Sequence, residues 1–282
     1  MKRFPRHLAL TATLTAALAV SACAPSRPAL QTPPPGWVRA DETVVWNHFD
    51  QVVELELSIA DEVRTQPRLY DLLRKNGVDR LRRFRAEARE AQAKAPPSAG
   101  TPWTMFIGYG RPYETGRIFS LAGGSWSYSG GAHGNPDAGS VLWDKAGQRL
   151  MAPAALFRHG ADLGPLDQAL CDAVNAAKAA RSALDSNGDA WDPALPRGTV
   201  GLGLWTCPAA LDIPFALAPG DAPGKAGGLI FLIDPYIVGP YVEASYDIVV
   251  PLEAFAALLS PDWADQFAGA PTAETLRLSR AG

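Results

Sequence analysis

Residues Ser125 to Asn135, S-W-S-Y-S-G-G-A-H-G-N, are the densest group of chemically capable side chains in the chain. The imidazole of His133, the hydroxyls of Tyr128 and Ser129 and the amide of Asn135 sit among Gly130, Gly131 and Gly134. Glycine tolerates positive φ and close backbone approach, so such a loop presents free N–H groups and fixes the orientation of a histidine. His133 with Asp137 and Ser129 would make an acid–base or metal cluster, but two ligands are too few for stable zinc. Trp126 and Tyr128 would serve as stacking platforms for sugar rings. The plainer alternative is a turn histidine bonding its own backbone above aromatic residues that fill the core. Nothing else advertises catalysis. Beyond the leader the only other histidines are His48 and His159, and HExxH, GxSxG, Ser-x-x-Lys and phosphate-loop motifs are absent. No catalytic residue, metal ligand or cofactor is assigned, and the alternative of an enzyme working through His133 stays open.

The elements that must position this loop are legible from periodicity. Val53, Leu55, Leu57 and Ile59 alternate with Glu54, Glu56 and Ser58, the period of a half-buried strand. Pro67 opens a helix with Leu69, Leu72 and Leu73 on one face, and Asn76-Gly77 is expected to break it before a second helix carrying Leu81, Phe84, Ala88 and Ala91. Trp103 to Tyr109 and Arg117 to Leu121 read as strands joined by a turn over Gly110 to Gly116, with Ser125 to Ser129 and Val141 to Trp143 continuing the meander. Leu163, Leu166, Leu170, Val174 and Ala177 mark an amphipathic helix. Gly228 to Ile233 and Ser245 to Val250 are expected to close the sheet, and Leu252 to Leu259 to form a capping helix. Asp185 to Asp189 with Asp192 echoes a calcium loop, but the glycine and the bidentate glutamate are missing, which leaves an Asx-rich turn.

The chain of 282 residues, 47% hydrophobic and 20% charged, is long enough for a sizeable core, which excludes wholesale disorder. Lys2, Arg3 and Arg6 precede the apolar run Leu8 to Val20, the layout of an export signal. The run ends Val20-Ser21-Ala22-Cys23, which resembles the bacterial lipobox and makes Cys23 the lipidation site. Ala24 to Gly36, with five prolines, then reads as a stiff spacer. Beyond the three leader cations, 23 basic residues face 29 acidic ones, a balance that disfavours nucleic acid. Cys171 and Cys207 lie 36 positions apart and are either a disulfide or two reduced, buried thiols.

A family resemblance rests on two stretches. Tyr128-Ser129-Gly130-Gly131-Ala132-His133, followed by Val141-Leu142-Trp143-Asp144, Gly147 and Ala155-Leu156-Phe157, resembles the domain shared by RsiV-type anti-sigma factors and PdaC-type peptidoglycan deacetylases. Phe231 to Tyr241, then Val249-Val250-Pro251, resembles that domain's closing Pro-Tyr and Pro-Tyr-Ala-x-Gly segment, with Val242-Glu243-Ala244-Ser245 present where the family has Ala-x-Gly after the Pro-Tyr. The resemblance implies an extracytoplasmic α+β domain with a mixed or antiparallel sheet packed by helices. It also implies a sensor or accessory module whose partner is a lysozyme-type hydrolase or peptidoglycan.

The expected organisation is a lipoprotein signal peptide over residues 1–22, lipidated Cys23 with a Pro-rich tether over 23–40, one α+β domain over 41–265 and a weakly ordered tail over 266–282. The expected role is a non-catalytic binding domain held in the bacterial envelope by its N-terminal lipid, on an outer membrane and facing the periplasm. A structural envelope lipoprotein is the further alternative. Trp126, Tyr128, Ser129, Gly130, Gly131, His133 and Asn135 form the candidate binding loop, and Tyr236 and Tyr241 the second candidate segment.

Overall fold

Alternation along Val53–Ala60 buries Val53, Leu55, Leu57 and Ile59 completely, and these four side chains form the floor on which the first helix lies. The computed structural model describes residues 42–94, 101–185, 198–200 and 203–281; the leader, Cys23, the tether and the Ser186 to Asp192 part of the calcium-like stretch lie outside them. In chain order the elements are β1 (Glu42–Phe49), β2 (Val53–Ala60), α1 (Pro67–Lys94), β3 (Trp103–Glu114), β4 (Ile118–Tyr128), β5 (Asn135–Asp144) and β6 (Arg149–Leu150). They continue with α2 (Gly164–Asp185), β7 (Thr199–Val200), β8 (Trp205–Thr206), β9 (Phe215–Pro219), β10 (Ala226–Ile233), β11 (Tyr246–Pro251), α3 (Pro261–Ala264) and α4 (Ala273–Ala281).

Strands β1 to β6 form one sheet in sequence order, antiparallel except for the parallel β2/β3 pair that α1 crosses over. Strands β11, β10 and β9 form a second, antiparallel sheet. The fold is therefore α+β, with the segments expected to close one sheet forming a sheet of their own. Strand β9, Phe-Ala-Leu-Ala-Pro, completes it; a short apolar run buried on both faces has no alternation to betray it.

Side-chain parity along β4 and β10 gives the layering. Phe119 and Leu121 pack with Leu69, Leu73, Leu81, Phe84 and Ala88 of α1. The opposite face carries Ala122, which meets Ala216, Ala218, Ile230 and Leu232 of the second sheet. Leu229, Phe231 and Ile233 on the far side of β10 pack with Leu166, Leu170 and Val174 of α2. The order is helix, sheet, sheet, helix. Cys171 of α2 is disulfide-bonded to Cys207, just after β8.

Three local expectations differ from the structure. Helix α1 runs unbroken through Asn76-Gly77, because Gly77 faces Leu57 so closely that a Cβ there would lie 2.7 Å from Leu57 Cδ1. The glycine is there for helix–sheet approach rather than for a turn. Leu252 to Leu259 forms two short 3-10 turns, in which Phe255 is drawn into a ring cluster with Phe157 and Phe267. Residues 266–281 are ordered. Gln266 accepts from Thr115 and from the Arg117 amide, Phe267 is buried, and α4 packs on β11.

Candidate functional site

The β4–β5 hairpin ends in a loop closed by Gly130 and Gly131, at φ 106° and 104°, backbone that L side chains rarely adopt. Tyr128 staples this loop by donating its hydroxyl to Gly131 O at 3.1 Å. Trp126 lies beneath, fully buried and stacked on Phe106 with centroids 6.0 Å apart. Gly134 covers it so tightly that a Cβ would come within 2.1 Å of the indole. Trp126 is thus the floor of the loop, not a platform for a ligand, and Tyr128 is half-buried at its edge.

The two candidate segments meet at His133. Its ring stacks on Tyr241, with centroids 3.7 Å apart and planes at 17°. Nδ1 lies 3.0 Å from Gly134 O, and because a carbonyl only accepts, Nδ1 carries the proton. In the neutral ring Nε2 is then the acceptor and receives the Tyr236 hydroxyl at 3.3 Å. Tyr241 donates to the same Gly134 carbonyl at 2.8 Å, and burial together with the neighbouring Tyr236 raises its phenol above the usual range, against a pull from the Trp126 indole. Ser129 and Asn135 are exposed. Asp137 does not join His133. It points to the other face of β5, where its carboxylate bonds Arg80 at 2.9 Å.

The second segment is held from below by a polar cluster. Lys178 of α2, almost fully buried, donates to Val238 O at 2.9 Å and to the Glu243 carboxylate. Tyr246 donates to the same carboxylate at 2.6 Å, and its phenol is pushed strongly upward, first by burial and then by that bond. Arg181 caps the arrangement, donating to Glu243 O with its guanidinium 3.7 Å from the centre of the Tyr246 ring. Asp234, where β10 ends, accepts from the Ala138 amide at 2.6 Å; burial raises its carboxyl above the usual range, with Asp137 adding to the rise. These anchors leave Tyr236, Ile237 and Val242 pointing outward at 55%, 44% and 88% exposure. Two of the loop residues hold left-handed backbone, Tyr236 at φ 71° and Ala244 at φ 58°.

Ala244 sits at φ 58°, ψ −162°, a region that glycine alone enters freely. Lys178 and Arg181 gave no sequence signal, and Asp234 stood out only as part of the resembled stretch, since nothing in a helical lysine or a strand-end aspartate announces a distant partner. Among the described residues no three His, Cys, Asp or Glu side chains converge as a metal site, and no helix is long and apolar enough to cross a membrane.

No family model matches the chain and no curated protein matches it. Solved structures similar to it include a DUF3298 family protein from Pseudomonas aeruginosa PAO1, at 17% identity and TM-score 0.47, covering 81% of this chain and 95% of that one. A member of the same family from Bacteroides fragilis matches at 15% identity and TM-score 0.47, covering 80% of this chain and 95% of that one.

Proposed function

We propose that this chain is an exported, lipid-anchored binding domain of the bacterial envelope, and that the Tyr236 to Val242 loop with His133 docks a cell-wall hydrolase of the lysozyme class. The observation that carries the reading is the loop itself. Three large apolar or aromatic side chains are exposed together while the backbone beneath them is fixed by the Lys178–Glu243 ion pair and the His133 stack. Exposed apolar groups on a pre-organised support are what a protein interface uses as anchors, because little entropy is lost when they bind. The charge balance supports the choice of partner: 23 basic against 29 acidic residues favour encounter with a basic enzyme. The leader, the lipobox-like Cys23 and the resemblance to RsiV-type domains support an encounter outside the cytoplasm.

Residues 24–282, titrated into lysozymes of several types at two salt concentrations, test the proposal through complex formation and residual muramidase activity. Binding that weakens with salt, and that Tyr236→Ala weakens at least about tenfold (about 1.4 kcal/mol) without a change in melting temperature, is the expected result. Absence of binding, or binding indifferent to Tyr236 and Val242, removes the hydrolase reading. Binding to isolated peptidoglycan instead would move the ligand from the enzyme to its substrate.

A further inference from the structure

On the other face of the first sheet a cleft of about 320 Å³ lies between α1 and β5. Leu72, Asn76 and Arg80 of α1 form one wall, Asp137 to Leu142 of β5 the other, and Leu150 with Met151 closes one end. Strand β6 reaches only Trp143 and Asp144, so the stretch of β5 before them is an open edge. The ladder parity identifies which groups face outward. Ala138 sends its N–H to Asp234 rather than to β4, and Leu142 accepts from Met151 N at 2.8 Å, so the even-numbered residues of β5 point away from β4. Ser140, midway between them, then directs both its N–H and its C=O into the cleft, and Ala138 directs its C=O there.

These groups repeat every two residues, roughly 7 Å, which is the spacing of an extended peptide backbone. The two ends of the ladder are already filled, one by the Asp234 carboxylate and one by Met151 N, so the vacant length suits a short peptide. Charge adds a further selector. The lining holds one cation, Arg80 of α1, beside one carboxylate, Asp137 of β5. Arg80 on the cleft wall uses only Nη2 for its bonds to Ser125 Oγ, at 2.8 Å, and to Asp137, leaving Nε and Nη1 without a hydrogen bond to any described residue. From this we infer that the cleft binds a short extended peptide bearing a free carboxylate, which adds a strand at Ser140 and meets Arg80 with its charge. Leu72, Leu150 and Met151 receive its apolar side chains. The lining residues are distinct from those of the hydrolase-docking loop, which follows Asp234 at the end of β10.

The test uses the full chain, ¹⁵N-labelled, titrated with acetyl-Ala-Leu-Ala-Ala as the free acid and as the C-terminal amide. The expected result is a shift of the Ser140 amide, with the acid bound about tenfold more tightly than the amide in wild type and equally with it in Arg80→Gln. Gly139→Leu supplies the second variant. A Cβ at Gly139 meets nothing nearer than 3.8 Å, so a side chain can start there on the cleft wall, and the leucine is expected to abolish both shifts while the melting temperature stays near that of wild type. No shift up to about 10 mM, ten times a Kd of about 1 mM, overturns the inference. Equal binding of acid and amide to wild type does the same, as does binding that Gly139→Leu leaves unchanged.

Discussion

Ala244 shows how one residue stores energy in the candidate site. Its backbone sits at φ 58°, ψ −162°, where a Cβ crowds the chain at a cost of roughly 1 kcal/mol or more, while Glu243 is bonded to Lys178 of α2 and to the Tyr246 hydroxyl, whose ring lies under Arg181 of α2. The position cannot relax without releasing that cluster. Ala244→Gly is therefore expected to raise unfolding free energy by about 1 kcal/mol, a gain partly offset by the greater freedom of glycine in the unfolded chain. Denaturant titration reads the change directly; an unaltered midpoint would mean that the loop is not held as described. Sequence alone marked this position only as a departure from the resembled pattern. That departure became interpretable once the torsion angles were known, because local torsion is set by long-range anchors that leave no mark on nearby residues.

At the scale of elements, Gly77 illustrates tertiary packing overruling local chemistry. Asn-Gly reads as a helix stop, yet α1 continues through it because the glycine lets the helix settle on β2. Alanine has the better helix propensity by about 1 kcal/mol, but its methyl would press on both terminal carbons of Leu57, a side chain with no exposed surface. Overpacking of that kind costs about 1–3 kcal/mol, so Gly77→Ala should lower stability in spite of propensity. Thermal melts of Gly77→Ala, Leu57→Ala and the double variant check this. The second substitution should cost less in the background of the first than in wild type, since the removed leucine atoms are the ones the methyl strikes. Where side-chain period and burial coincide, as in β2 and α2, the elements were readable from sequence. Strands β1 and β9 were not, since one has no clean alternation and the other is too short and too uniformly apolar to separate from any buried segment.

At the scale of the whole molecule, the sequence carried the α+β class and the meander, and it pointed to both segments that meet at His133. It did not carry the partition of strands between two sheets, because pairing between distant segments is decided by which faces fit together rather than by any local pattern. The two-sheet arrangement also has a consequence for time rather than space. Strand β4 is paired on both edges and covered on both faces, with Ile118 to Ala122 buried by α1 on one side and the second sheet on the other. Its amide protons can trade with solvent deuterons only when the entire domain opens, whereas the Ser140 proton one strand away needs no opening at all. Deuterium uptake should therefore be slowest along Phe119 to Leu121 and faster by orders of magnitude at Ser140, so that two neighbouring strands mark the slow and fast limits of the protein's internal clock.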